Sequence, residues 1–183
     1  MAGLAWIRWT LNLLIVAGCV AIVVVVVRPG AADAVVRRLS GPAVDAARFE
    51  SLNRALTTIR TSTRVGVSYA AYGDQVRQLA VELEIAKGYA RTKEEKSMIA
   101  EATAASAAYN DGWAAWQYQI QRGPVFSRDT NPELAGAAFR HRLTPHPQMG
   151  TFQTQDILQA AWVTAWPHVD AATKLYSDNA QAK

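Results

Sequence analysis

Between Leu11 and Val27 the chain reads LNLLIVAGCVAIVVVVV, with no charge and only Asn12 and Cys19 interrupting the apolar run. A helix needs about 20 apolar residues to cross the hydrocarbon layer of a bilayer, and Trp9 to Val27 comes close to that length. Trp6 and Trp9 stand at one end, where indoles favour the headgroup boundary. Arg28, Pro29 and Gly30 close the other end with a charge and two helix breakers. The valines at 23–27 are poor helix formers in water, a handicap that lipid removes. The stretch therefore reads as an uncleaved transmembrane anchor, with everything from Arg28 onward tied to it.

Three other readings compete. Ala32-Asp33-Ala34 has the form of a signal-peptide cleavage site, but the apolar run exceeds the usual h-region of about 7–15 residues. Val16-Ala17-Gly18-Cys19 resembles a lipobox with Cys19 as the acylated residue, yet apolar residues continue well past it. A buried core helix is the third. For orientation, Arg28, Arg37 and Arg38 on the carboxyl side outweigh Arg8, and the positive-inside rule places the body in the cytoplasm. The competing topology exports the body. The expected location is a single-pass position in a bacterial inner membrane.

Past the anchor there is enough chain for one compact domain with a real core. The net charge of +4 and pI near 9.4 are mildly basic. Arg37, Arg38, Arg48, Arg54, Arg60 and Arg64 bias the first part of the body. Such a bias suits a segment facing anionic lipid and falls short of a nucleic-acid binder. Cys19, the only cysteine, lies in the apolar stretch, so the body has neither a disulfide nor a thiolate metal site.

The chain then divides into a juxtamembrane linker (29–42), a long helical hairpin region (43–121), a Pro-rich irregular connection (122–150) and a C-terminal helix with a polar, frayed tail (151–183). Phe49, Leu52, Leu56 and Ile59 recur at three and four, the mark of one helix face. Val65, Val67 and Tyr69 alternate as a strand would, but the flanking pattern favours a helix running through. Val76, Leu79, Leu83, Ala86 and Ala90 resume the helical spacing, with Val81, Ile85 and Tyr89 widening the apolar face and Gly88 near its end. Thr92-Lys93-Glu94-Glu95 is a capping box. It opens a helix to about Gln121 whose face is Ala102, Ala105, Tyr109, Trp113, Trp116 and Ile120. Its small residues admit a close neighbour. Asn131-Pro132-Glu133 starts a short helix through Phe139 with Asn131 as cap. A last helix begins near Thr151 or Thr154, presents Leu158, Trp162, Ala165 or Trp166, and Val169, and should be kinked or interrupted at Pro167.

Little in this pattern carries chemistry. His141 and His146 lack the i, i+4 spacing of paired ligands, His168 stands apart, and the zinc, thiol-redox and c-type haem motifs are absent. Glu82 with Glu84 and Glu94 with Glu95 sit at spacings that diverge on a helix. No nucleophile elbow or phosphate loop occurs. The aromatics are the unusual content. Tyr109, Trp113, Trp116 and Tyr118 on one helix, with Trp162 and Trp166 on another, read either as anchors for a partner or as a core shared by two packed helices.

A single anchor followed by a helical body resembles the layout of LemA-type membrane proteins, and Lys87-Gly88-Tyr89-Ala90 looks like a short stretch of theirs. The paired-arginine and Leu-Ile-Pro-Asn segment of that family is missing. The body also resembles the four-helix sensor domains of chemoreceptors, without their second span or signalling coiled coil. These likenesses are of layout, and no family is assigned on them.

The expectation is an all-α protein: one N-terminal transmembrane helix and a bundle-like extramembrane domain. Its expected role is that of a non-enzymatic accessory subunit of a larger membrane assembly, of the respiratory or photosynthetic kind. The alternative is a membrane-tethered sensor or ligand-binding bundle. Expected partners are the lipid bilayer and other membrane-protein subunits, with no nucleic acid, cofactor or metal. The expected partner-binding residues are Tyr109, Trp113, Trp116, Tyr118, Trp162 and Trp166. The membrane interface is assigned to Trp6, Trp9, Arg28, Arg37 and Arg38.

Overall fold

The computed structural model describes residues 43–180. The apolar stretch 11–27, the interface residues Trp6, Trp9, Arg28, Arg37 and Arg38, and the linker 29–42 lie outside the described residues. Among the described residues no helix is long and apolar enough to cross a membrane. These residues are mostly helical: α1 (Ala46–Val65), α2 (Tyr69–Tyr89), α3 (Lys93–Arg122), β1 (Val125–Ser127), α4 (Pro132–Arg140), β2 (Thr151–Gln153) and α5 (Thr154–Ala180).

Helix α1 is capped by Asp45, whose carboxylate accepts from the Arg48 amide, and buries Phe49, Leu52, Leu56 and Ile59 as their spacing requires. It stops at Gly66, where φ is +108°. Side-chain-bearing residues avoid that conformation, so the helix expected to run through Val65–Tyr69 breaks here, and no strand replaces it. Ser68 then caps α2 by accepting from the Ala71 amide. Helix α2 passes through Gly88 and buries Tyr72, Val76, Leu79, Leu83 and Ala86. Val81, Ile85 and Tyr89 do not widen that face. They are 58%, 49% and 44% exposed.

The capping box at Thr92 and Glu95 forms as its sequence dictates. Helix α3 buries Ala102, Ala105, Ala108, Tyr109, Gly112 and Ala115 along one side, while Ile120, expected on that side, is exposed. Helix α5 runs back along α3. A Cβ on Gly112 would lie 3.2 Å from the Ala161 Cβ, and Ala165, Val169 and Ala172 are fully buried beyond it. The interruption expected at Pro167 does not occur. Pro167 and Val163, whose carbonyl the ring frees, are exposed, so water can satisfy that carbonyl. Nor does the chain fray at Ser177, since α5 continues to Ala180.

Each of α1, α2, α3 and α5 packs on two others, α1 on α2 and α5, and α3 on α2 and α5. Successive helices reverse direction, which makes an up-down-up-down four-helix bundle. Cross-links confirm the sense: Arg60 meets Asp170, and the Tyr176 hydroxyl donates to the Ala46 carbonyl. Thus the 43–121 region holds three helices in succession.

Helices α3 and α5, with 30 and 27 residues, outreach α1 and α2, with 20 and 21. At 1.5 Å per residue the overhang of α3 is about 15 Å. It is covered by α4 and by an antiparallel ribbon in which Phe126 faces Phe152. The two rings stack at 5.5 Å and pack with Ala115, Leu134, Ala138 and Ile157 in a second small core. The connection at 122–150 is therefore partly regular. Asn131 and Pro132 start α4 as expected, but the ribbon is a departure from the irregular reading.

The glycines test this packing. A Cβ on Gly73 would fall 2.3 Å from the Trp113 ring, whereas one on Gly88 would meet nothing within 4 Å. Gly73→Ala should lower stability by about 1–3 kcal/mol through overpacking. Gly88→Ala should raise it by about 0.5–1 kcal/mol through helix propensity. Urea denaturation of both variants reads the opposite signs.

Candidate functional site

The six aromatic residues singled out by sequence fall in three places. Tyr109, Trp113, Trp116 and Trp162 converge on Tyr72 in the first turn of α2, a residue the spacing argument placed on no site. Ring centroids around Tyr72 lie at 6.3 Å for Tyr109, 6.0 Å for Trp113, 5.8 Å for Trp116 and 5.6 Å for Trp162. Tyr69 stacks on Trp113 at 4.5 Å. The Tyr72 hydroxyl donates to the Tyr109 carbonyl at 2.8 Å, and the Trp162 indole lies beside that hydroxyl without a hydrogen bond of good geometry. Burial raises the Tyr72 pKa and pushes that of Tyr109 up to about 12. Both phenols stay neutral at physiological pH. Tyr72 and Tyr109 are fully buried, and the three Trp side chains are half-buried. Trp166 stands apart and donates its indole N–H to Thr63 at 3.2 Å. Tyr118 turns to the second core and packs edge-on against Phe126.

This cluster sits where α1 ends, α2 begins and the α3–α5 overhang starts. Tyr109 offers no surface to a partner. The cluster packs against the bundle's own apolar core.

The histidines are placed by carboxylates. His168 Nδ1 lies 2.7 Å from Glu101 between α5 and α3. His141, only 3% exposed in its side chain, contacts Asp111 Oδ2 through Nε2 and Thr164 Oγ1 through Nδ1, both at 3.1 Å. Arg140 meets the same carboxylate with two donors, at 2.6 and 3.2 Å. That pairing raises the arginine's pKa. A neutral imidazole donating to Asp111 would accept the Thr164 proton, which gives the outline of an acid–imidazole–hydroxyl chain. Asp111, however, is already bound by a bidentate guanidinium, and the imidazole is sealed from substrate. The arrangement clasps α3, α4 and α5 together. His146 lies away from both, in the loop before β2.

The paired carboxylates separate as the helical spacing requires. Glu84 binds Lys87 at the surface. Glu95, unlike the solvated face expected for its pair, is buried and accepts from the amides of Arg91, Thr92 and Asp45 at 2.7, 3.0 and 3.2 Å. One carboxylate thus joins the start of α1 to the α2–α3 turn. Burial alone would raise its pKa, and the backbone donors outweigh it and hold the pKa below the ordinary value. Among the described residues no group of three or more His, Cys, Asp or Glu is placed to hold a metal ion.

Open concavities lie on the described surface. One, of about 690 Å³, runs between α3 and α4 past Gln117, Tyr118 and Arg140. A second, of about 580 Å³, lies between α1 and α5. A third, of about 400 Å³, is formed by the loop from Arg142 to Gln153 against Asp156. Comparison with family models, with curated proteins and with solved structures finds no match to this chain.

Two outcomes follow from these placements. Asp111→Ala should cost about 2–4 kcal/mol, because it strands the sealed His141 and frees Arg140. Thr164→Ala, at an exposed position, should stay within about 1 kcal/mol of wild type; thermal denaturation measures both. For Glu95, a folded pKa below the unfolded one gives stability that is fully present above the unfolded value and lost as pH falls through the folded value. Glu95→Gln should therefore cost about 1–3 kcal/mol at pH 7. The deficit should close in acid as pH falls below the unfolded carboxyl's value and through the lower folded one, where the wild-type carboxyl takes up its proton. A urea series from pH 7 to pH 3 reads it.

Proposed function

We propose that the protein is a non-enzymatic, membrane-anchored docking module, an accessory subunit that binds a helix of a membrane-protein partner along the outer face of α2. The observation that carries this reading is the ridge of Val81, Ile85 and Tyr89. It repeats at a spacing of four on a helix whose opposite face buries Tyr72, Val76, Leu79, Leu83 and Ala86, and all three residues are well exposed. Such a ridge is the pattern by which one amphipathic helix receives another. Tyr89 lies at the end of the bundle where the described chain begins, with the Arg48 guanidinium 6.0 Å from its ring centroid.

The charge distribution supports the anchored part of the reading. Lys and Arg equal Asp and Glu in number between residues 43 and 180. The net +4 thus comes from Arg8, Arg28, Arg37, Arg38 and Lys183 against Asp33. Positive charge concentrated beside an apolar stretch of spanning length favours anionic lipid and a cytoplasmic body. Trp113, Trp116 and Trp162, which sequence alone offered as partner anchors, serve the bundle's own packing in this reading, and the docking role passes to α2.

Native mass spectrometry of the full-length protein, extracted from its own membranes in mild detergent, tests this. The wild type should run as a complex heavier than the monomer. Ile85→Glu should release it as a folded monomer, because exposed substitutions cost within about 0.5 kcal/mol. A wild-type monomer, or a complex that survives Ile85→Glu, would contradict the reading.

A further inference from the structure

We propose that the third concavity, between the α4–β2 loop and the first turn of α5, is a binding site for a small organic carboxylate, with Arg142 as its anion-binding group. This site is independent of the docking role of α2. Its volume of about 400 Å³ lies in the range of small-molecule sites. Phe152, Met149 and Leu143 supply apolar wall, and Arg142, His146 and Thr151 supply polar groups of the kind that hold a carboxylate.

The backbone at Arg142 is the second observation. Helix α4 ends in a Schellman turn: the Arg142 amide donates to the Phe139 carbonyl, and the Leu143 amide to that of Ala138, each at 2.9 Å. The turn places Arg142 at φ +61°, and it is the one non-glycine residue with positive φ among those described. Glycine is the usual occupant of such a position, because it alone adopts the left-handed conformation without strain. An arginine there forgoes stability that glycine would give, and it is among the residues that line the pocket. Its neighbour Arg140 is held by Asp111, whereas Arg142 forms no ion pair among the described residues. The loop opposite is braced by hydrogen bonds from the His146 amide to Thr151 at 2.7 Å and from the Gly150 amide to His146 at 2.8 Å.

Asp156 also lines the site. Its charge repels a phosphate dianion more strongly than a carboxylate monoanion, and a monoanion with an apolar body pairs with Arg142 and covers the Phe152 side.

The test uses full-length protein in detergent and fluorine NMR titration of 4-fluorobenzoate, with the neutral 4-fluorobenzamide as control. The benzoate should bind saturably and the benzamide should not. Arg142→Gly should weaken the benzoate about tenfold or more, with a melting temperature equal to or above that of the wild type, since glycine relieves the strained turn. This variant separates the roles, because a residue kept only for the fold would lower the melting temperature when replaced. Absent saturable binding, equal binding by Arg142→Gly or by the benzamide, or a lower melting temperature in Arg142→Gly would overturn the proposal.

Discussion

The close antiparallel pairing of α3 and α5 is the constraint on which the rest of the fold depends. Ala102, Ala105, Ala108 and Gly112 on one helix meet Ala161, Ala165 and Ala172 on the other, and each of these residues is buried. Small side chains bring two backbones near but fill little volume. Large side chains at one end of the seam supply that volume, and these are Trp113, Trp116 and Trp162 gathered around Tyr72. The gathering in turn requires Gly73, on whose helix the Trp113 ring rests. At the opposite end the buried Glu95 carboxylate accepts from three backbone amides beside the buried Val44 and Met98. Hydrogen bonding thus joins packing in closing that end of the bundle.

The length mismatch between the helix pairs has a consequence for function. Because α3 and α5 outreach α1 and α2, their far ends need a separate cover. The second core around Phe126 and Phe152 provides it. Covering an overhang with a nine-residue helix, a ribbon of two three-residue strands and a loop adds concave surface to that of the four-helix bundle. The pocket beside Arg142 lies in that cover. The ridge on α2 lies on the bundle proper, so the two candidate functions occupy different parts of the domain.

Helix positions were legible in the sequence wherever caps and spacing agreed. Thr92 with Glu95, and Asn131 with Pro132, mark their helix starts without ambiguity. The ribbon was not legible, because three residues show a single alternation and the partner strand is far away in sequence. The Gly66 break was obscured by helical pattern on both sides. Tyr72 was hidden for another reason: spacing marks it only as a buried position, and nothing local says that three tryptophans from two other helices meet there. Val81, Ile85 and Tyr89 continue the apolar pattern of α2, and sequence could not tell that the bundle closes without them. That excess of apolar surface became visible only when the core was complete.

In the proposed function the tryptophan cluster belongs to the fold and the α2 ridge to a partner. Photo-crosslinking in native membranes separates these assignments most directly. A photoreactive residue in place of Ile85 should give an adduct heavier than the monomer, while one in place of Val163, even more exposed but on α5, should give none. Adducts from position 163 with none from position 85 would contradict the account.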